Sequence, residues 1–221
     1  MDSYLTSEAT EQLRAAVARY ALPPGTPLTG WRVGAAGVRI TTPAEILIAR
    51  PVTGGPHFLC DLGYRLYDVE PAGADPAGRS VGIALLPDGL SCHLNDAAGF
   101  RAFYAALRDR LSGAEVAGLL AWYQSSAPGA ERLVISEEDV ADTLGPLDRL
   151  TYAALFRAPV WRAAGDGRTL AFTTFFLSRE APDRVCQANL NAWTAQAGET
   201  SRLTWECRPL ARGLPSPRYS A

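Results

Sequence analysis

The sequence predicts an α+β protein in which antiparallel sheets pack with an N-terminal helix and a central pair of helices. Apolar residues recur at helical spacing near the N-terminus and again between residues 97 and 123. Short segments with alternating side chains fill residues 31–94. Four strand-like segments with turn sequences between them follow residue 155, and they predict a C-terminal four-stranded antiparallel meander.

The first helix is expected to begin after Thr6 or Ser7 and to end near Ala21, because two prolines and a glycine follow. Five strand-like segments come next. Two of them are joined by a Pro-Asp-Gly turn at residues 87–89. The segments are Trp31–Thr41, Glu45–Val52, His57–Val69, Ser80–Leu86 and Leu90–Leu94.

The central helical pair is predicted from its capping residues. Asp96 caps a helix that extends to about Leu111, and a capping box formed by Ser112 and Glu115 begins the second helix. The segment 125–129 breaks the pattern, so we expect a first region at 1–125 and a second at 130–221, packed as one compact unit.

The second region is expected to open with a short strand at Leu133–Ile135 and a small helix at Glu137–Leu144 that ends at Gly145-Pro146. An Asp166-Gly167 turn then predicts a hairpin of residues 156–163 with residues 168–177. In the predicted register Trp161 lies opposite Phe172.

The strand at Asp183–Ala195 is the most informative stretch. Alternation places Cys186, Ala188, Leu190 and Ala192 on one side. The other side, here called the amide face, consists of Gln187, Asn189, Asn191 and Trp193. The next strand, Ser201–Arg208, alternates instead between an apolar side and an outer row of Arg202, Thr204, Glu206 and Arg208. The uncharged amide face differs from that solvated row, so we expect it to be covered.

Composition excludes several classes of function. All 21 basic residues are arginines, so the chain has no lysine for a Schiff base, pyridoxal phosphate or a phosphate loop. The net charge of −2 and the absence of a basic block argue against a nucleic-acid partner. We expect no tightly bound cofactor.

The N-terminus is polar and acidic, and no apolar run approaches the roughly 20 residues that span a bilayer. We therefore expect a soluble cytoplasmic protein that does not enter the membrane, with reduced cysteines. If the last hairpin turns at residues 197–200, Cys207 lies opposite Leu190, which is too far from Cys186 for a disulfide.

Two histidines lie near cysteines, as His57 with Cys60 and His93 with Cys92. On strands, residues one or three positions apart point to opposite faces, so we expect no metal site and expect both cysteines to pack as small apolar residues. Ser91, His93 and Asp96 are an unfavoured catalytic triad, because side chains two positions apart on a strand are beyond hydrogen-bond distance.

The sequence leaves three functions open and predicts no reaction type. The first is small-molecule binding in a sheet-lined pocket that contains the amide face, without a tightly bound cofactor. The second is protein–protein interaction or homo-oligomerisation through the same face, since amides and tryptophan also suit interfaces. The third is metal-dependent hydrolysis.

Overall fold

The computed structural model describes residues 6–35, 37–52, 56–73, 80–124, 131–179, 186–198 and 203–215. By internal contacts the chain divides into two compact units, residues 1–106 and residues 107–221. We call them the N-terminal unit and the C-terminal unit. The break expected at residues 125–129 lies outside the described residues. No helix among the described residues is both long enough and apolar enough to cross a bilayer.

The N-terminal unit confirms the predicted first helix and most of the predicted strands. Helix α1 (Ser7–Tyr20) begins where the Thr6 hydroxyl accepts a hydrogen bond from the Ala9 backbone N–H at 3.2 Å. The strands of its described residues form one antiparallel sheet in chain order. They are β1 (Gly30–Gly34), β2 (Gly37–Thr41), β3 (Ile46–Pro51), β4 (Arg65–Pro71), β5 (Val81–Leu85) and β6 (Ser91–His93).

Helix α1 packs its apolar stripe on this sheet. Leu13 and Val17 are fully buried and follow the 3–4 spacing that predicted the helix. They share one hydrophobic cluster with residues of four strands. The strand members of the cluster are Val38, Ile40, Leu47, Ala49, Tyr67, Val69, Ile83 and Leu85.

The predicted strand His57–Val69 is wrong over its first part. Residues His57–Asp61 form a short helix, α2, which follows Pro56, and Gly63 turns the chain after it with φ of +83°. Alternation of apolar residues over so few positions does not separate a strand from one helical turn. Helical spacing puts His57 and Cys60 on the same side, and Cys60 is exposed, so its expected apolar packing is also wrong.

Gly37 follows the turn of the first hairpin. The position requires glycine, because its φ of +131° is rarely adopted by other residues and a Cβ there would overlap the carbonyl oxygen of Ala49. We expect Gly37→Ala to lower the free energy of unfolding of the N-terminal unit by about 2 kcal/mol. Native-state hydrogen exchange of the β2 and β3 amides measures this loss. Gly34→Ala is the control, since its Cβ would lie 3.7 Å from the nearest atom. Equal losses in the two variants would contradict the assignment.

The predicted central helices are present as α3 (Ala97–Leu107) and α4 (Gly113–Gln124). The Asp96 carboxylate accepts a hydrogen bond from the Gly99 N–H at 2.6 Å, and the Ser112 N–H and hydroxyl each donate to Glu115 at 2.7 Å. Both predicted caps are therefore confirmed. Helix α3 ends where the two units divide.

The strands of the C-terminal unit form a second antiparallel sheet. Among the described residues β11, β10, β9 and β7 are neighbours in that order, and β8 pairs with β9 beside β7. The ranges are β7 (Arg132–Val134), β8 (Arg162–Ala164), β9 (Gly167–Arg179), β10 (Cys186–Gly198) and β11 (Leu203–Pro215). This sheet confirms the predicted α+β class with C-terminal antiparallel strands.

Two predicted hairpin registers are wrong. Strand β8 covers only two of the eight residues expected, and Arg162 pairs with Thr169, so Trp161 does not lie opposite Phe172. On the other side of β9, Phe172 pairs with Trp193 of β10. In the last hairpin Ala197 pairs with Leu203, which places Cys207 opposite Trp193 and not opposite Leu190. Cys207 therefore shares the side of the amide face. A different turn length shifts the register of a whole hairpin.

The small helix expected at Glu137–Leu144 is a 3₁₀ turn at Glu137–Val140, and a second helix was not expected. Helix α5 (Pro146–Tyr152) begins at the Gly145-Pro146 pair that was predicted to end a helix. Proline fits the first position of a helix because its missing N–H needs no partner there. A short 3₁₀ helix, Ala153–Leu155, follows α5.

Candidate functional site

The amide face of β10 is buried inside the chain. Asn189 is 4% exposed, Asn191 5% and Trp193 2%, whereas Gln187 is half-buried. On the opposite side of β10, Ala188 and Leu190 belong to a hydrophobic cluster that contains Val134, Val140, Leu144, Phe156 and Phe175. Both sides of this strand are therefore covered, and the polar side has to satisfy its hydrogen bonds away from water.

The Glu131 carboxylate accepts most of those hydrogen bonds. Its Oε1 atom accepts from Asn191 Nδ2 at 2.8 Å, from Trp193 Nε1 at 3.3 Å and from the Thr174 hydroxyl. The same indole N–H also lies 2.8 Å from Thr174 Oγ1. Glu131 directly precedes β7, and Leu133 pairs with Thr174. Strand pairing of β7 with β9 thus brings the carboxylate to the amide face.

Arg212 completes the cluster from β11. Its Nη2 donates to Asn191 Oδ1 at 2.7 Å, and its Nη1 donates to the carbonyl oxygens of Leu190 and Ala211, each at 3.2 Å. The guanidinium carbon lies 5.4 Å from the centroid of the Phe176 ring. The Asn191 side chain therefore bridges a carboxylate and a guanidinium by its two ends. We call Glu131, Thr174, Asn191, Trp193 and Arg212 the Glu131 cluster.

The other two amides, Gln187 and Asn189, lie beside an irregularity in the pairing of β10 with β11. The pairing of β10 with β11 shifts between Ala188 and Asn191. The Gly213 N–H donates to Asn189 Oδ1 at 3.2 Å, and Asn189 Nδ2 donates to the Gln187 carbonyl oxygen at 3.2 Å. Gly213 has φ of +67°, and a Cβ there would lie 3.2 Å from Gln187 Oε1. All four predicted residues thus lie together, and three of them are buried.

The thiol of Cys207 reports on the charges of the cluster. The pKa of this thiol is raised to about 11, first by burial and then by the Glu131 carboxylate, while the Arg212 guanidinium lowers it. A thiol becomes negative when it loses its proton, so a nearby carboxylate opposes ionisation and a guanidinium favours it. Cys207 is a free cysteine, as expected, while the side chain of Cys186 lies outside the described part of the chain.

We expect the alkylation rate of Cys207 to rise with pH up to about 11, well above the range of an ordinary thiol. Glu131→Gln should lower this pKa because it removes a negative charge, and Arg212→Gln should raise it because it removes a positive one. Peptide mass spectrometry after iodoacetamide pulses across a pH series separates Cys207 from the other cysteines. A profile unchanged by both substitutions would contradict the placement of these charges.

The histidine regions form a different arrangement in the N-terminal unit. His93 Nδ1 lies 3.1 Å from Asp96 Oδ2, and the His93 ring stacks on Tyr20 at 5.6 Å. The Gly99 N–H, which caps α3, lowers the pKa of Asp96 most strongly. Cys92 is buried as expected, and burial raises the pKa of its thiol. Among the described residues no group of three or more His, Cys, Asp or Glu side chains is placed to hold a metal ion.

Glu131, Thr174 and Arg212 were not among the residues predicted from the sequence. Thr174 could have been identified from the sequence, because it lies between Phe172 and Phe176 on one side of the strand and is polar where they are apolar. Glu131 and Arg212 could not be identified in this way, since they lie 60 and 21 residues from Asn191 and reach it only through strand pairing.

Comparisons with protein-family models, with curated proteins and with solved structures found no match to this chain.

Proposed function

We propose that the C-terminal unit binds a small polar molecule at the Glu131 cluster. The supporting observation is that three uncharged donors converge on one oxygen of a half-buried carboxylate. Polar groups held in a fixed arrangement on an apolar framework are typical of small-molecule sites. In this proposal the buried amides position Glu131 and Arg212, and those two charged side chains contact the ligand.

The charges of the cluster suggest the chemistry of the ligand. None of the ion pairs between described side chains includes Glu131. A carboxylate that is held by neutral donors suits a protonated amine or another N–H donor. Arg212, which is exposed, suits an acceptor oxygen. Because one carboxamide spans the distance between the two charged groups, the ligand carries its amine and its acceptor close together.

A thermal-shift screen of small amines, amino acids and hydroxyamines tests the proposal. We expect at least one compound to raise the melting temperature of the wild-type protein, because a ligand that binds only the folded state stabilises it. The same compound should fail with Glu131→Gln and should act more weakly with Arg212→Gln. Glu206→Gln is the matched control, since Glu206 is an exposed carboxylate on β11.

Two results would count against the proposal. One is that no amine-bearing compound stabilises the wild-type protein at any concentration tested. The other is that every stabilising compound acts equally on Glu131→Gln and on Glu206→Gln. Both variants need a cooperative melting transition for the comparison, and hydrogen exchange of β10 reports whether its pairing is intact.

A further inference from the structure

Two arginines lie directly opposite each other on neighbouring strands of the N-terminal unit. Arg32 of β1 pairs with Arg39 of β2 in the antiparallel register, and both residues are exposed. Residues paired in this way point to the same side of a sheet, with Cβ atoms roughly 4.5–5.5 Å apart. Val38 and Ile40 are buried in the cluster that contains helix α1, so Arg32 and Arg39 point to the other side of the sheet. We call them the arginine pair.

The positive charges of the arginine pair are not compensated by the described part of the chain. Within it, neither guanidinium takes part in an ion pair or a hydrogen bond. The acidic residues of β4 on the same side, Asp68 and Glu70, lie two strands from Arg39, which is about 10 Å at the usual strand spacing. Glu70 already forms an ion pair with Arg50 of β3. Like charges directly opposite each other destabilise a sheet, so a bound anion would remove a cost that the fold carries.

The surroundings of the arginine pair leave room for such an anion. Along β1 and β2 the neighbours on the same side are Gly30, Gly34, Gly37 and Thr41. Three of these four positions have no side chain that would stand beside the guanidiniums. In the next strand Ile48 lies opposite Arg39 and is half-buried, so it offers an apolar contact at the edge of the site. One oxyanion can therefore approach both arginines from the same side.

We propose that the arginine pair binds the phosphate group of a small molecule. This site goes beyond the proposed ligand site, since it shares no residue with the Glu131 cluster. The planar fork of N–H donors in a guanidinium matches two oxygens of a phosphate, and two such forks match a group that presents three oxygens. A phosphate ester carries up to about two negative charges at neutral pH, which is the charge that the arginine pair lacks.

The extent of the positive charge favours a small molecule over a nucleic acid. A nucleic-acid backbone is held by many phosphate contacts along a track of basic residues. The next arginine on this side of the sheet is Arg50, and its charge is neutralised by Glu70. The net charge of the whole chain is −2. Two adjacent positive charges without a continuing track suit a single phosphate group.

Titration of the full chain with inorganic phosphate at constant ionic strength tests this site. The side-chain Nε–H signals of the arginine pair are followed by NMR of the ¹⁵N-labelled protein, and we expect both to shift in a saturable way. In Arg32→Gln and in Arg39→Gln the dissociation constant should rise at least about tenfold, because one charge-assisted hydrogen bond contributes about that factor. Arg14→Gln is the matched control, since it removes an exposed arginine of α1, and it should bind phosphate like wild type. The backbone amide spectrum reports whether each variant is folded.

Equal shifts with chloride or acetate at the same ionic strength would overturn the proposal. So would an Arg39→Gln chain that binds phosphate as tightly as Arg14→Gln. Flotation with phosphatidylcholine vesicles that contain phosphatidic acid separates a free phosphate group from a lipid headgroup. If the wild-type chain gave no saturable shift with inorganic phosphate but bound these vesicles, and Arg39→Gln did not, the arginine pair would belong to a lipid surface and the small molecule would be overturned.

Discussion

Trp193→Ala is expected to lower the free energy of unfolding of the C-terminal unit by about 4 kcal/mol. The indole is 2% exposed and stacks on the Phe172 ring at a centroid distance of 5.6 Å and an interplanar angle of 6°. Alanine would leave a cavity there and would remove the N–H that Thr174 and Glu131 accept. Native-state hydrogen exchange of the β9 and β10 amides measures the loss for this unit.

Two variants separate the contributions to that loss. Trp193→Phe keeps a ring against Phe172 and removes the N–H, so we expect a loss of about 1–2 kcal/mol. Trp161→Ala is a control on a half-buried tryptophan whose ring lies 5.0 Å from the Arg168 guanidinium carbon, and it should cost less than about 1 kcal/mol. If Trp193→Ala cost no more than Trp161→Ala, the described packing of the indole would be wrong.

Asn191→Leu is expected to cost the same unit about 3 kcal/mol. Leucine has the same branching and the same number of side-chain heavy atoms as asparagine, so no cavity forms. The substitution removes the hydrogen bonds from Asn191 to Glu131 at 2.8 Å and to Arg212 at 2.7 Å. A carboxylate and a guanidinium then each lack one partner, and this lowers the free energy of unfolding. Hydrogen exchange of β10 gives the value, and the midpoint of urea denaturation gives a second estimate.

The control for Asn191→Leu lies on the same strand. Gln196 is an exposed residue of β10, and Gln196→Leu should change the free energy of unfolding by less than about 0.5 kcal/mol. Similar effects of the two substitutions would mean that Asn191 makes no stabilising hydrogen bonds within the fold.

The alternation of side chains along β10 predicted correctly which residues share the amide face. Side-chain direction in a strand depends only on the local period of two, so it can be derived from a short segment. The contrast with charged residues such as Arg208 predicted a face covered by a ligand or a protein partner, whereas residues of the chain itself bury it. Helices α1, α3 and α4 were predictable for a similar reason, because their caps and apolar stripes lie within one stretch of sequence.

The pairing of strands was not predictable in the same way. The predicted register pairs Gln196 with Ser201, whereas Ala197 pairs with Leu203, and this shift moves Cys207 from opposite Leu190 to opposite Trp193. Helix α5 was missed because Gly-Pro can end one helix or begin another. The choice depends on packing of the surrounding chain, which local sequence does not contain.

The Glu131 cluster was the least predictable feature. Glu131 reaches Asn191 only because β7 pairs with β9 while β9 pairs with β10. Arg212 reaches it only because β11 extends beyond Arg208, where the predicted strand ended. The amides could be identified as site residues from the sequence, whereas the charged residues that they contact could not.

If the amide face holds the Glu131 carboxylate, Glu131 and Asn191 contribute jointly to stability, and a double-mutant cycle measures that joint contribution. The free energy of unfolding is measured for the wild-type protein, Glu131→Gln, Asn191→Leu and the double variant. Groups in direct contact couple, whereas independent sites add. We expect a coupling of about 1 kcal/mol or more between Glu131 and Asn191, whereas additivity within about 0.3 kcal/mol would mean that the amide face does not hold the carboxylate.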